Sequence, residues 1–178
     1  FSSGSKLQKV GKNAFTETSI KAIEIPSSVE NIEENSFYKC NKLEEIKFSS
    51  GSKLQKVGKN AFTETSIKAI EIPSSVENIE ENSFYKCNKL EEIKFSSGSK
   101  LQKVGKNAFT ETLIKTIEIP PNVVNIKEHT FYNCFQLNEI IFPNESKLQK
   151  IEKEAFYCTV IKSISFPASL SELEDDWH

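Results

Sequence analysis

Apolar positions recur along this chain in two short motifs that alternate. The first reads Leu7-x-x-Val10-x-x-x-Ala14-Phe15, then Ile20-x-x-Ile23-x-Ile25-Pro26. The second reads Val29-x-x-Ile32-x-x-x-Ser36-Phe37-x-x-Cys40-x-x-Leu43-x-x-Ile46-x-Phe48. In Ile23-x-Ile25 and Ile46-x-Phe48 the apolar period is 2, the mark of a short strand with one buried face. Pro26 ends the first strand, since proline cannot donate to a ladder. Ala14-Phe15 is too short for an independent helix and predicts a helical or 3-10 turn on the far side.

The two motifs together span 47 residues, and residues 1–47 and 48–94 are identical. Phe95 opens a third copy that diverges after Thr112, and Phe142 a fourth that diverges further. A fixed period of this size signals stacked coils, here of 22 and 25 residues in turn. One coil cannot bury its apolar side alone, so neighbours must share a continuous core. Phe15, Phe37, Phe62, Phe84, Phe109, Phe131 and Phe156 are predicted to form one buried aromatic column. Seven turns end at Pro167, Leu170 and Leu173 begin an eighth, and Trp177 is placed to cover the open core as a partial cap. At about 4.8 Å per coil the seven turns extend about 33 Å.

The run Leu-x-x-Ile-x-Ile-Pro-x-x-Val-x-x-Ile, followed by Ala-Phe and Cys-x-x-Leu, resembles the BspA-like leucine-rich repeats. The early first halves depart from it: Thr16-Glu17-Thr18-Ser19 stands where the second half has Tyr38-Lys39-Cys40-Asn41-Lys42. The resemblance implies an α/β solenoid. This is a right-handed leucine-rich-repeat coil with one parallel sheet of short strands and short helical or 3-10 turns opposite. Residues 1–178 would form a single such domain. The resemblance also implies a surface-exposed or secreted protein with an adhesive or host-interacting role.

The halves share an apolar skeleton but carry opposite charges at matched positions. Lys12 falls on Glu34, Lys21 on Glu44, and Glu24 on Lys47. One predicted column reads Glu24, Lys47, Glu71, Lys94, Glu118, then Ile141 and Ser165. Another reads Lys21, Glu44, Lys68, Glu91, Lys115, then Asn138 and Lys162. Unlike charges on neighbouring strands contribute about 0.2–1 kcal/mol each, and like charges cost as much. Alternation therefore disfavours a slip by one coil. It does not disfavour a slip by two, because the first two units are identical.

The outward strand positions are the candidate ligand-binding residues. They are Ala22, Glu24, Glu45 and Lys47, with their equivalents Ala69, Glu71, Glu92, Lys94, Thr116, Glu118, Glu139 and Ile141. The expected function is non-enzymatic binding of a protein or glycan. The rival readings are an intracellular interaction scaffold and a passive stalk.

Other features give less. Net charge is −2, so nothing draws the chain to nucleic acid. No apolar run approaches a membrane span, so no membrane insertion is expected. Histidine occurs only at 129 and 178, and no Ser, His and acid recur together. Ser3-Gly4-Ser5 lacks the spacing of a phosphate loop. No catalytic residue, cofactor or metal is expected. Cys40, Cys87 and Cys134 lie two coils apart, about 10 Å, beyond disulfide reach, and read as buried thiols. Cys158 follows Cys134 by one coil, so a disulfide between them is geometrically open, although the two are offset by one residue relative to their Phe. Tyr38, Tyr85, Tyr132 and Tyr157 each follow a core Phe and are expected at a half-exposed edge. Phe135 and Ile141 replace Asn and Lys of the earlier units and mark an apolar spot. Asn144-Glu145-Ser146 is a glycosylation acceptor pattern in a loop. The chain opens at Phe1, within a repeat and without a leader, and reads as a piece of a longer protein.

Overall fold

The computed structural model describes residues 4–178; Phe1, where the first repeat opens, lies outside them. It is a parallel β-solenoid, and each coil presents three sides to its neighbours. The first side is a continuous sheet of two-residue strands. Its odd-numbered members are β1 (Lys9–Val10), β3 (Asn31–Ile32), β5 (Lys56–Val57), β7 (Asn78–Ile79), β9 (Lys103–Val104), β11 (Asn125–Ile126) and β13 (Lys150–Ile151). The last rung is β14 (Glu172–Leu173). They pair in parallel, in that order, as one eight-stranded sheet.

The second side holds the strands that the Ile-x-Ile pattern predicts. β2 (Ala22–Ile25) pairs with β4 (Glu45–Phe48), β6 (Ala69–Ile72) with β8 (Glu92–Phe95), and β10 (Thr116–Glu118) with β12 (Glu139–Ile141). β2 stops before Pro26, as expected. The expectation of one parallel sheet is corrected on both counts. These strands form three separate pairs, and the unbroken sheet lies elsewhere, on residues such as Val10 and Ile32.

The third side corrects the expected helical or 3-10 turns, because no helix occurs among the described residues. Around Ala14-Phe15 the backbone N–H groups alternate in direction. Asn13, Phe15 and Glu17 donate across to Glu34, Ser36 and Tyr38 of the next coil, at 3.1, 2.8 and 2.8 Å. Ala14, Thr16 and Thr18 turn back to Gly11, Asn13 and Phe15, at 3.2, 3.2 and 3.1 Å. Asn13 and Glu17 take φ of 57°, outside any right-handed helix. Packing explains the choice. A helix is about 10 Å wide, whereas successive Phe rings here stack 5.1–5.5 Å apart. Coils at that spacing have room for a ladder of turns but not for a helix each.

The Phe column is present from Phe15 to Phe156, as the sequence predicts. Phe15, on the end coil, is partly buried, and the other six rings are fully enclosed. At the other end Trp177 packs edge-on against Phe156 and Phe166, at 6.1 and 5.4 Å between centroids. Its carbonyl accepts the Phe156 N–H at 2.8 Å, so the partial cap also continues the ladder.

Cys40, Cys87 and Cys134 are buried beside this column. Each Sγ donates to the carbonyl of the preceding coil's Phe: Phe15, Phe62 and Phe109, at 2.8, 3.0 and 3.1 Å. The Cys134–Cys158 disulfide is not formed. Both are free thiols, and Cys158 is exposed. Cys158 occupies a left-handed position (φ 57°) stacked on Asn133, whose N–H donates to Tyr157. The one-residue offset thus turns it outward. Burial pushes the Cys87 thiol up to about 12 and the Cys134 thiol to about 11. Their folded values lie above the unfolded value, so this contribution to stability is complete below about pH 8.5 and lost as pH rises toward the folded values. One thiol per native chain, Cys158, is therefore expected to react with a chromogenic disulfide reagent at pH 8. All four should react in denaturant. Two or more fast thiols in the native chain would contradict the burial.

Candidate functional site

Strand pairing sets the outward face residue by residue. Ala22 lies beside Glu45 and Glu24 beside Lys47; Ala69 lies beside Glu92 and Glu71 beside Lys94; Thr116 lies beside Glu139 and Glu118 beside Ile141. All twelve are exposed. The structure brings seven of them together. Ala22, Glu45, Lys47, Ala69, Glu71, Glu92 and Lys94 line a groove of about 880 Å³. The groove runs over the junction of β4 and β6, which pack side by side without a hydrogen-bonded ladder. Glu24 lines an adjoining groove of about 500 Å³, where Ser49–Ser52 form one wall. Thr116, Glu118, Glu139 and Ile141 lie beyond both.

The charges alternate between coils, but their contacts differ from what the columns suggest. Lys47 reaches Glu45 in its own strand at 2.6 Å, and Lys94 reaches Glu92 at 2.6 Å. Glu24 instead accepts from Ser49 Oγ at 2.8 Å, and Glu71 from Ser96 Oγ at 2.7 Å. In the second column, Lys68 pairs with Glu44 at 2.7 Å and Lys115 with Glu91 at 2.9 Å, each across a coil boundary. The hydrogen bond from Lys68 holds the Glu44 carboxyl below its usual range, and Glu45 holds the Lys47 ammonium above its own. These pairs are solvent-washed, so they contribute little to stability. They do keep fixed charges in the groove across the neutral range.

Other singled-out residues lie on different sides. Tyr38, Tyr85 and Tyr132 are half-buried along the turn ladder, and Tyr157 is exposed. Lys39 and Lys86 lie over the rings of Tyr38 and Tyr85, at 5.2 Å, while Tyr132 and Tyr157 stack at 5.3 Å. Phe135 is 57% exposed and Ile141 43%, so the substitutions in the third unit do open apolar spots. Asn144 is exposed in a turn. Sequence reading missed the outer face of the eight-stranded sheet. Lys9, Lys56, Lys103 and Lys150 alternate there with Asn31, Asn78 and Asn125, and part of that face is a groove of about 920 Å³. The lysine recurrence at the full period was the available signal.

Among the described residues no three His, Cys, Asp or Glu side chains are grouped to hold a metal. Those residues likewise include no helix long and apolar enough to cross a membrane. A profile of the BspA type leucine rich repeat region matches residues 8–123 and 55–177, in six copies. The chain belongs to this family. The BspA-type repeats of this chain build its surfaces from recurring coils.

Solved structures share the fold. A leucine-rich repeat protein from Bacteroides ovatus is 21% identical over 94% of this chain and 60% of its own, with a TM-score of 0.61. The pneumococcal vaccine antigen PcpA is 20% identical over 94% and 64%, with a TM-score of 0.54. The Treponema pallidum leucine rich repeat protein is 26% identical over 78% and 64%, with a TM-score of 0.69. This BspA-type chain thus spans 60–64% of the length of each. No curated protein sequence matches it.

Proposed function

We propose that this chain is a recognition segment of a cell-surface or secreted protein, and that it holds a protein or glycan ligand across the outer face of its strand pairs. The observation that carries the reading is convergence. Seven exposed residues of four strands meet in one groove that alternates acid and lysine. The same strand face recurs every 47 residues, or about 10 Å at two strand spacings. Such repetition suits a repetitive ligand, because each further contact is made at high effective concentration. The family and the vaccine-antigen relative support a surface setting.

The test must respect the pairs within strands. Reversing Lys47 or Lys94 would set a glutamate beside Glu45 or Glu92, so neutralisation is the safer change. The variant Lys47→Gln/Glu71→Gln/Lys94→Gln should keep its circular dichroism spectrum and midpoint. Its binding to intact cells and extracellular matrix is expected to fall at least tenfold. Equal binding by the folded variant would place recognition elsewhere, and absence of binding by the parent chain would favour a stalk or scaffold.

A further inference from the structure

The outer face of the eight-stranded sheet carries an arrangement that three coils fill; the first coil has its residues, Lys9, Lys12 and Glu33, without its bonds, and the fifth lacks its acid. Glu80 gives one carboxylate oxygen to Lys56 Nζ at 2.8 Å and the other to the Lys59 N–H at 3.1 Å. Glu152 is held the same way by Lys127 Nζ at 2.7 Å and the Glu128 N–H at 3.1 Å. Glu174 is held by Lys150 Nζ at 2.6 Å and the Lys153 N–H at 2.9 Å. In each case an ammonium and a backbone donor of one coil divide the two oxygens of a glutamate from the next. Charge-assisted bonds of this kind are stronger than neutral ones.

Moving Lys56, Lys59 and Glu80 forward by one unit of 47 residues gives Lys103, Lys106 and Lys127. The two donors recur, but the acid does not. Lys127 turns away to Glu152. Among the described residues, no carboxylate lies within ion-pair distance of Lys103, and no acceptor stands at the Lys106 N–H. Two lysines on adjacent coils also replace the lysine–glutamate pair, which costs repulsion where the rest of this face gains attraction. The open place lies in the groove of about 920 Å³ and is backed by Val104 and Gly105.

We propose that this fifth coil seats a carboxylate from outside the chain, the acidic side chain of a partner protein, between Lys103 Nζ and the Lys106 N–H. The occupant of the equivalent seats argues for a protein. It is a glutamate side chain; the chain's own β11 already fills the next strand position, so a partner's acidic side chain would enter from the open side of the groove between Lys103 and Lys127. The seat is on a different face from the groove between strand pairs, so it stands or falls separately.

The test follows the Lys106 amide by ¹⁵N NMR at low salt while a capped Gly-Glu-Gly peptide is added. A capped Gly-Gln-Gly peptide and a uronic-acid tetrasaccharide serve as comparators. The glutamate peptide should shift that amide saturably and the glutamine peptide should not. Lys103→Gln, an exposed change that leaves the fold intact, should weaken the response about threefold to tenfold. Lys127→Glu/Glu152→Gln should abolish it, because it supplies an internal carboxylate while sparing that acid a like-charged neighbour. The proposal is overturned if no saturable shift appears, if the glutamine peptide acts equally, or if Lys103→Gln responds like the parent. Response to the tetrasaccharide alone would overturn the assignment to a protein partner and make the seat a glycan contact.

Discussion

Phe84→Ala is expected to destabilise the chain by about 3–5 kcal/mol, measured by guanidinium unfolding. Phe84 is fully buried, with ring centroids 5.2 Å from Phe62 and 5.5 Å from Phe109. Truncation removes both stacking faces and leaves a ring-sized gap in the middle of the stack. In a solenoid each coil contacts only its neighbours, so no distant element can move in to fill it. The gap should also weaken coupling between the two halves, and a single cooperative transition should broaden or split. Phe15→Ala, in a half-buried ring on the end coil, should cost less. A loss below about 1 kcal/mol for Phe84→Ala would mean that the column is not the centre of the core.

Gly105→Ala is expected to cost about 3 kcal/mol, at the upper end of ordinary overpacking. A Cβ there would lie 2.6 Å from the Glu80 carbonyl carbon, and the Glu81 N would be closer still. Both are backbone atoms of the preceding coil and cannot swing aside as a side chain could. Relief would require the two coils to part, which lengthens ladder bonds on all three sides. Gly51 is a useful contrast, because its Cβ would meet nothing and its φ of 71° is the sole obstacle. Gly51→Ala should therefore cost about 1 kcal/mol. For a chain of this size the difference of about 2 kcal/mol corresponds to about 4–8 °C in melting temperature. Equal melting temperatures would show that the coils are not pressed together at Gly105.

Much of this architecture could be read from spacing alone. Phenylalanines at a fixed period announce a column, and Ile23-x-Ile25 announces a strand that Pro26 must end. The two-residue strands were harder to see, since alternation cannot show itself in a pair such as Lys9-Val10. The turn ladder was hidden for another reason. Asparagine at 13 and 35 suits a left-handed residue, but Glu17 and Lys39 adopt the same φ, and nothing in their side chains favours it. Their conformation is imposed by the neighbouring coil, which accepts their N–H groups. The candidate groove was half legible. Outward charge at Glu45, Lys47, Glu71 and Lys94 followed from alternation. Their meeting in one hollow depends on β4 and β6 failing to join, which no composition records. Register likewise put Glu24 beside Lys47, yet the nearer acid was Glu45, two residues along the same strand.

The identity of residues 1–47 and 48–94 has a further consequence. The joint between these two units is made by surfaces that each unit already carries. A copy of the unit inserted at that joint would meet, above and below, only faces it is already built to fit. Unequal exchange between the repeated stretches of DNA could therefore lengthen or shorten the protein without requiring any new interface to evolve. Each added unit would extend it by about 10 Å, two strand spacings, and add another charged strand face. Reach and number of contacts could then vary within a population by recombination alone, faster than the shape of any single contact changes.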